Sequence, residues 1–217
     1  MSLMKFVIAT GNSHKVEEFS RMLKRLSEQS DSPRDLCAVS AKELSIDMEG
    51  AVENGQTFEQ NALIKAKYAC KQSGLAAFAD DSGLCVDALG GRPGIYSARY
   101  ADTDDERISK LLCELDGVKE PDRGAKFVSA IACVFPDGRQ FTVRGETFGR
   151  IAFEKEGDGG FGYDPVFLYE GKSFGKMTGE QKDAVSHRGK ALDKCLAELK
   201  NYLGQKPATP PQTTPKN

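Results

Sequence analysis

KFVIATGNSHKVEEF, residues 5–19, decides the class of fold. Lys5 to Ala9 is apolar and strand-forming, and Thr10-Gly11-Asn12 is turn-like. A helix is expected from about His14 to Glu28, because Val16, Phe19, Met22, Leu23 and Leu26 recur on one face of a 3.6-residue period. A strand, a tight turn and an amphipathic helix in that order begin an α/β domain.

Working outward, Leu36 to Val39 reads as a second strand and the acidic stretch Asp47 to Gly55 as a surface loop. Thr57 with Gln60 has the pattern of a capping box, opening a helix that carries Phe58, Ala62, Ala66 and Ala69 and stops at Gly74. Ala76 to Ala79 reads as a short strand ending at a pair of aspartates, and LGGRPGIYSARY (89–100) as a shaped loop. Thr103 and Glu106 again fit a capping box, with Ile108, Leu111, Leu112 and Leu115 facing inward. Phe127 to Phe135, the turn Pro136-Asp137-Gly138, then Phe141 and Val143 predict a hairpin, so the sheet is expected to be mixed. Ser186 caps a last helix from His187 to about Tyr202. One domain is expected over residues 4–204. The QKPATPPQTTPKN tail (205–217) has nothing with which to bury itself.

The chain's 217 residues suffice for a substantial core. A formal net charge of -2 argues against non-specific attraction to nucleic acid or an anionic membrane. No apolar run approaches the length of a membrane span. Cys37, Cys70, Cys85, Cys113, Cys133 and Cys195 are scattered among apolar neighbours without a CxxC pair, so reduced core thiols and a cytoplasmic location are expected.

Chemistry enters with FADDSGLCVD, residues 78–87. Asp80 and Asp81 repel one another unless something offsets their charge. A turn with a capping aspartate satisfies the local pattern. A hard divalent cation satisfies it too, since magnesium takes one or two carboxylates with water and phosphate oxygens. Glu53 in the acidic loop is a further candidate ligand, with Glu49 as competitor.

Thr10-Gly11-Asn12-Ser13-His14-Lys15 stands where free helix-start amides attract phosphate, although a plain β-α turn has the same look. Walker A and GxGxxG patterns are absent. Gly159 to Pro165 (GGFGYDP) sets Phe161 or Tyr163 to cover a flat base while Asp164 accepts a hydrogen bond; a core-plugging bend is the plainer reading. Lys182 and Ser186-His187-Arg188-Gly189 bring cations to a helix start, where the dipole disfavours them unless an anionic or polar group recruits them. Together these parts suit a nucleoside triphosphate.

So assembled, the residues resemble the inosine/xanthosine triphosphate pyrophosphatase family, also called Ham1-like. The matching segments are Ala9 to Asn12 with Lys15, Thr57-Phe58 with Asn61-Ala62, Ala79 to Leu84, Leu89 to Gly91 with Pro93 to Tyr100, Gly159 to Pro165, and Ser186 to Gly189. The resemblance runs from about residue 5 to 200. It implies an elongated α/β mixed-sheet fold whose two lobes flank an active-site cleft, and a magnesium-dependent homodimer. It also implies hydrolysis of ITP, dITP and XTP to the monophosphate and pyrophosphate, which clears deaminated purines from the nucleotide pool.

Residue by residue, the resemblance puts phosphate binding on Thr10, Gly11, Asn12, Ser13, His14 and Lys15, aided by Lys65. Asp81 becomes the catalytic carboxylate, a metal ligand or general base for the attacking water, supported by Asp80 and Lys15, with Asp80 and Glu53 as further metal ligands. Ser82 contacts substrate; Phe161, Gly162, Tyr163 and Asp164 frame the base; Lys182, His187 and Arg188 complete recognition. Lys176 and Asp183 depart from the family pattern at positions with no catalytic role. The rivals are a pyrophosphatase for modified pyrimidine nucleotides and a silent nucleotide-binding regulator.

Overall fold

In the computed structural model, which describes residues 3–29 and 35–204, seven strands form one mixed sheet in the order β2-β1-β3-β4-β5-β6-β7. β1 (Met4–Ile8) lies parallel to both β2 (Leu36–Ser40) and β3 (Ala76–Val86). β4 (Gly124–Val134), β5 (Gln140–Ile151), β6 (Phe167–Tyr169) and β7 (Lys172–Ser173) continue it antiparallel. The mixed sheet and the 136–138 hairpin turn are as expected. Residues 30–34 and the expected tail at 205–217 lie outside the described residues.

Among the described residues five α-helices accompany the sheet: α1 (Ser13–Gln29), α2 (Phe58–Ser73), α3 (Asp104–Glu114), α4 (Gly179–Val185) and α5 (His187–Gly204). Sequence patterning missed α4, though Thr178 and Gln181 cap it reciprocally. The box at Thr103 and Glu106 closes as read. The one at Thr57 is half made: Thr57 Oγ1 accepts from Gln60 N, whereas Gln60 Oε1 turns to Gln56 N at 2.6 Å.

Strand alternation sorts the core. From β3, Ala76 and Phe78 join Phe19, Leu23, Ala191 and Leu199 on the α1/α5 face. Ala77 and Ala79 join Phe58, Ala62 and Ala66 on the α2 face. Farther along, Leu84 and Val86 enter a third cluster with Ile108, Leu111, Phe167 and Phe174, which builds the second lobe. β3 therefore crosses from one lobe to the other, with the two aspartates at its middle.

That corrects the sequence reading of a strand ending at Ala79. Asp80 and Asp81 are paired ladder residues, opposite Ile131 and Ala130 of β4. Two glycines permit the close approaches around them. An added Cβ at Gly83 would meet Gly94 O and Ser97 Oγ, and one at Gly145 would collide with the backbone of His187 and Ala191. α5, which brings His187 and Arg188, thus rests directly on β5. The cysteines are all free; Cys70, Cys133 and Cys195 are buried, but Cys113 is exposed on α3 and is not a core thiol.

Candidate active site

Consecutive strand residues point to opposite faces, and this answers how the two acids coexist. Asp80 faces α1 and α5, fully buried, with Lys15 Nζ at 2.5 Å and Ser129 Oγ at 2.5 Å. Ser82 Oγ and Arg188 Nη2 approach the same carboxylate at 3.3 and 3.5 Å. Burial alone would raise the Asp80 pKa, but Lys15 and Arg188 outweigh it and hold the carboxyl well below its usual range.

Asp81 faces α2. Its Oδ1 accepts from Lys65 Nζ at 3.0 Å, and the same ammonium lies 3.1 Å from Glu53 Oε2. Burial raises the Asp81 pKa, with Lys65 opposing and the negative charges of Glu53 and Asp80 adding to it. For Lys65, burial is outweighed by Asp81 and Glu53, so its pKa also rises. Asp81 Oδ2 is buried without a hydrogen-bond partner. Glu49 is exposed and its loop turns on Asp47, so Glu53 is the acid that meets Asp81 through Lys65.

The geometry therefore separates the three acids expected to share a metal. Among the described residues no three His, Cys, Asp or Glu side chains are gathered to hold an ion. The orphaned Asp81 oxygen and the nearby Glu53 carboxylate fit a hard cation. Asp80 does not fit, because Lys15, Arg188, Ser82 and Ser129 already occupy its oxygens.

A cavity of about 370 Å³ opens beside Ser82 and Gly83. It brings together Asn12, Lys15, Phe161, Gly162, Tyr163, Asp164, Lys182, His187 and Arg188 from distant parts of the chain. Thr10 and Gly11 belong to the turn beside it, where Thr10 Oγ1 accepts from Asn12 N at 3.1 Å. Ser13 and His14 begin α1, and their side chains lie outside the described atoms.

Phe161 is 47% exposed, with Lys182 Nζ 4.3 Å from its ring centre. Lys182 pairs with buried Asp164 at 2.5 Å, and Asp164 Oδ2 also accepts from Phe161 N at 2.8 Å. Tyr163 does not serve as a second aromatic platform: its ring packs in the third cluster and its hydroxyl donates to Ser97 O at 3.0 Å. His187 is buried and stacked on Phe127 at 4.8 Å. Burial, then the positive charge of Arg188, hold its pKa well below the usual value, so it is neutral. His187 Nδ1 has no hydrogen-bond partner. Arg188 is recruited to its helix start by Asp80 and by Glu18 of α1, whose Oε2 lies 3.5 Å from Nε.

Several residues around Asp80 and the cavity escaped sequence reading. Ser129 had a signal, a lone hydroxyl in the apolar run FVSAIACVF. Ser97, Asp104 and Arg107 line the cavity, and only chain folding brings them there.

A mixed sheet with a cation-rich cavity at mid-strand defines an α/β enzyme-like scaffold for an anionic ligand with a flat group. Residues 6–198 match the model of the Ham1 family, and the chain belongs to that family. It is 43% identical over 208 residues to a dITP/XTP pyrophosphatase of Symbiobacterium thermophilum, covering 94% of this chain and 98% of the relative. A dITP/XTP pyrophosphatase of Yersinia pseudotuberculosis is 44% identical over 206 residues, covering 92% and 100%. Among solved structures, the Staphylococcus aureus Ham1 protein superposes with a TM-score of 0.81 at 37% identity, covering 91% and 99%. The nucleoside-triphosphatase, or dITP/XTP pyrophosphatase, of Mycobacterium abscessus gives 0.74 at 42%, covering 90% and 100%.

Proposed function

We propose that this chain hydrolyses deaminated purine nucleoside triphosphates, namely dITP, ITP and XTP, to the monophosphate and pyrophosphate. Family membership and the activity named for its relatives support the reading. The observation that carries it is the cavity that pairs a half-exposed aromatic ring with several cations, together with the buried, unpartnered Asp81 Oδ2 on the other face of the same strand.

Asp81 Oδ2 accepts the proton of the water that adds to the α-phosphorus. The bond from that phosphorus to the oxygen bridging to the β-phosphorus breaks, and pyrophosphate leaves with the electron pair. Lys65 and Lys15 offset the charge of the phosphate chain, while Asn12 and the turn from Thr10 to His14 offer helix-start amides to it. Magnesium, held by Glu53 and Asp81, would neutralise phosphate charge and polarise a phosphoryl oxygen.

Phe161 covers the base. Arg188 and backbone donors satisfy the 6-keto oxygen of hypoxanthine or xanthine, whereas the 6-amino group of adenine would leave them unpaired. An unpaired buried donor costs about 1–3 kcal/mol, enough for selection against ATP. The homodimer and the cytoplasmic, pool-clearing role implied by kinship belong to the same proposal. Among the described residues no helix is long and apolar enough to cross a membrane.

The test is a panel of dITP, ITP, XTP, ATP, GTP, dUTP and 5-methyl-UTP with magnesium, pyrophosphate and orthophosphate being measured separately. Pyrophosphate from the first three is expected. Orthophosphate as the first product, or preference for the pyrimidines, overturns the reading. Light scattering checks the dimer.

A further inference from the structure

The wall of the cavity opposite α5 is the start of α3, which the proposed chemistry leaves unused. Gly162 N donates to Asp104 Oδ2 at 2.8 Å, joining residues 58 apart in the chain. The other oxygen of that carboxylate is held by Arg107 Nη1 at 2.6 Å. Arg107 is itself tied down by Nε on Ala101 O at 2.9 Å. One carboxylate thus spans a fixed cation and a loop amide, and hydrogen bonds to an ionised acceptor are among the stronger ones.

The amide it takes is next to the ring that matters. Phe161 is about half exposed, so packing and the Lys182 ammonium over its ring hold its direction only in part. Its orientation depends on the backbone on either side. Phe161 N is bonded to Asp164 from within the loop, and Gly162 N to Asp104 from across the cavity. Two consecutive amides held by two carboxylates pin the peptide between them. Tyr163 Oη on Ser97 O makes a second, buried link, from the same loop to the 94–99 turn.

We propose that Asp104 is a positioning residue for base recognition, clasping the Gly162 amide so that Phe161 stands over the cavity. The proposal rests on the nucleotide reading above and adds to it a specificity element on α3. Asp104 does not touch the reacting phosphates. Its contribution is to ground-state and transition-state binding alike, which moves KM and spares kcat.

The test compares Asp104→Ala, Asp104→Asn and Asp105→Ala with the parent enzyme. Asp105 carries the same charge on the same helix turn and pairs with Lys155 instead, so it controls for loss of charge at the helix start. Two readouts are used: amide exchange of residues 158–164 without ligand, and steady-state pyrophosphate release from dITP. Asp104→Ala is expected to speed exchange at Gly162 and raise KM about tenfold, with kcat within about twofold. Asp104→Asn keeps a side-chain oxygen and is expected to restore most of both, while Asp105→Ala matches the parent. Parental exchange and KM in Asp104→Ala overturn the clasp, as does an equal effect in Asp105→Ala. If the parent releases no pyrophosphate from dITP, the nucleotide reading fails; the exchange comparison then decides the clasp, and unchanged exchange overturns it.

Discussion

The carboxylates of Asp80 and Asp81, adjacent in the chain, lie on opposite faces of β3, each compensated by its own lysine: Lys15 for Asp80 and Lys65 for Asp81. The repulsion expected of neighbouring acids is relieved by strand geometry as much as by countercharge. The two residues accordingly differ in chemistry. One is saturated with donors, and the other keeps a free oxygen.

Asp81→Asn should lower kcat for dITP by about 100-fold, the scale found when an essential electrostatic group is removed from an active site. Pyrophosphate release at saturating magnesium measures it. A kcat within a few fold of the parent would take the reaction away from Asp81.

Asp80→Asn should act on stability. It leaves Lys15 and Arg188 facing a neutral amide, and breaking a buried pair in this way costs about 3 kcal/mol at pH 7. The sign with pH follows from the depressed carboxyl pKa. The native state prefers the ionised form, so the contribution is present above about pH 4 and is lost as acid protonates the group. Urea unfolding from pH 7 down to pH 2 should show the parent approaching the variant. A gap that stays constant would contradict the assignment.

His187 should remain neutral across the range in which free histidine titrates. Burial, then Arg188, depress its pKa, whereas the unfolded chain takes up a proton below about pH 6.5. Stability from this residue is therefore complete above that pH and declines below it. Imidazole NMR shifts that hold steady between pH 8 and pH 5.5 are expected; an inflection near 6.5 would count against burial of a neutral ring.

Gly145→Ala should destabilise the protein by about 2 kcal/mol or more, since the new methyl meets α5 backbone that has no slack. Because α5 brings His187 and Arg188 to the cavity, kcat/KM for dITP should fall as well. Parental urea midpoints would mean that α5 does not sit so close to β5.

Much of this was legible from residue pattern, for local reasons. The apolar stripe of α1, the capping pairs and the 136–138 turn are short-range features, and each formed near its expected position. Asp-Asp-Ser-Gly misled because those residues also make turns. What keeps them in a strand are cations from α1, α2 and α5, contacts that no local window contains. Phe161 and Tyr163 were equal candidates to cover a flat base, and only the folded loop, which packs the Tyr163 ring in the third cluster, tells them apart. Asp104 carried only the marks of a helix start, since its partner Gly162 is far along the chain.

Lys15 and Arg188 meet on a single carboxylate, Asp80, though translation separates them by most of the chain. A ribosome that has finished the first six strands has not yet supplied the guanidinium that shares this anion. The pocket is accordingly among the last things a nascent chain completes.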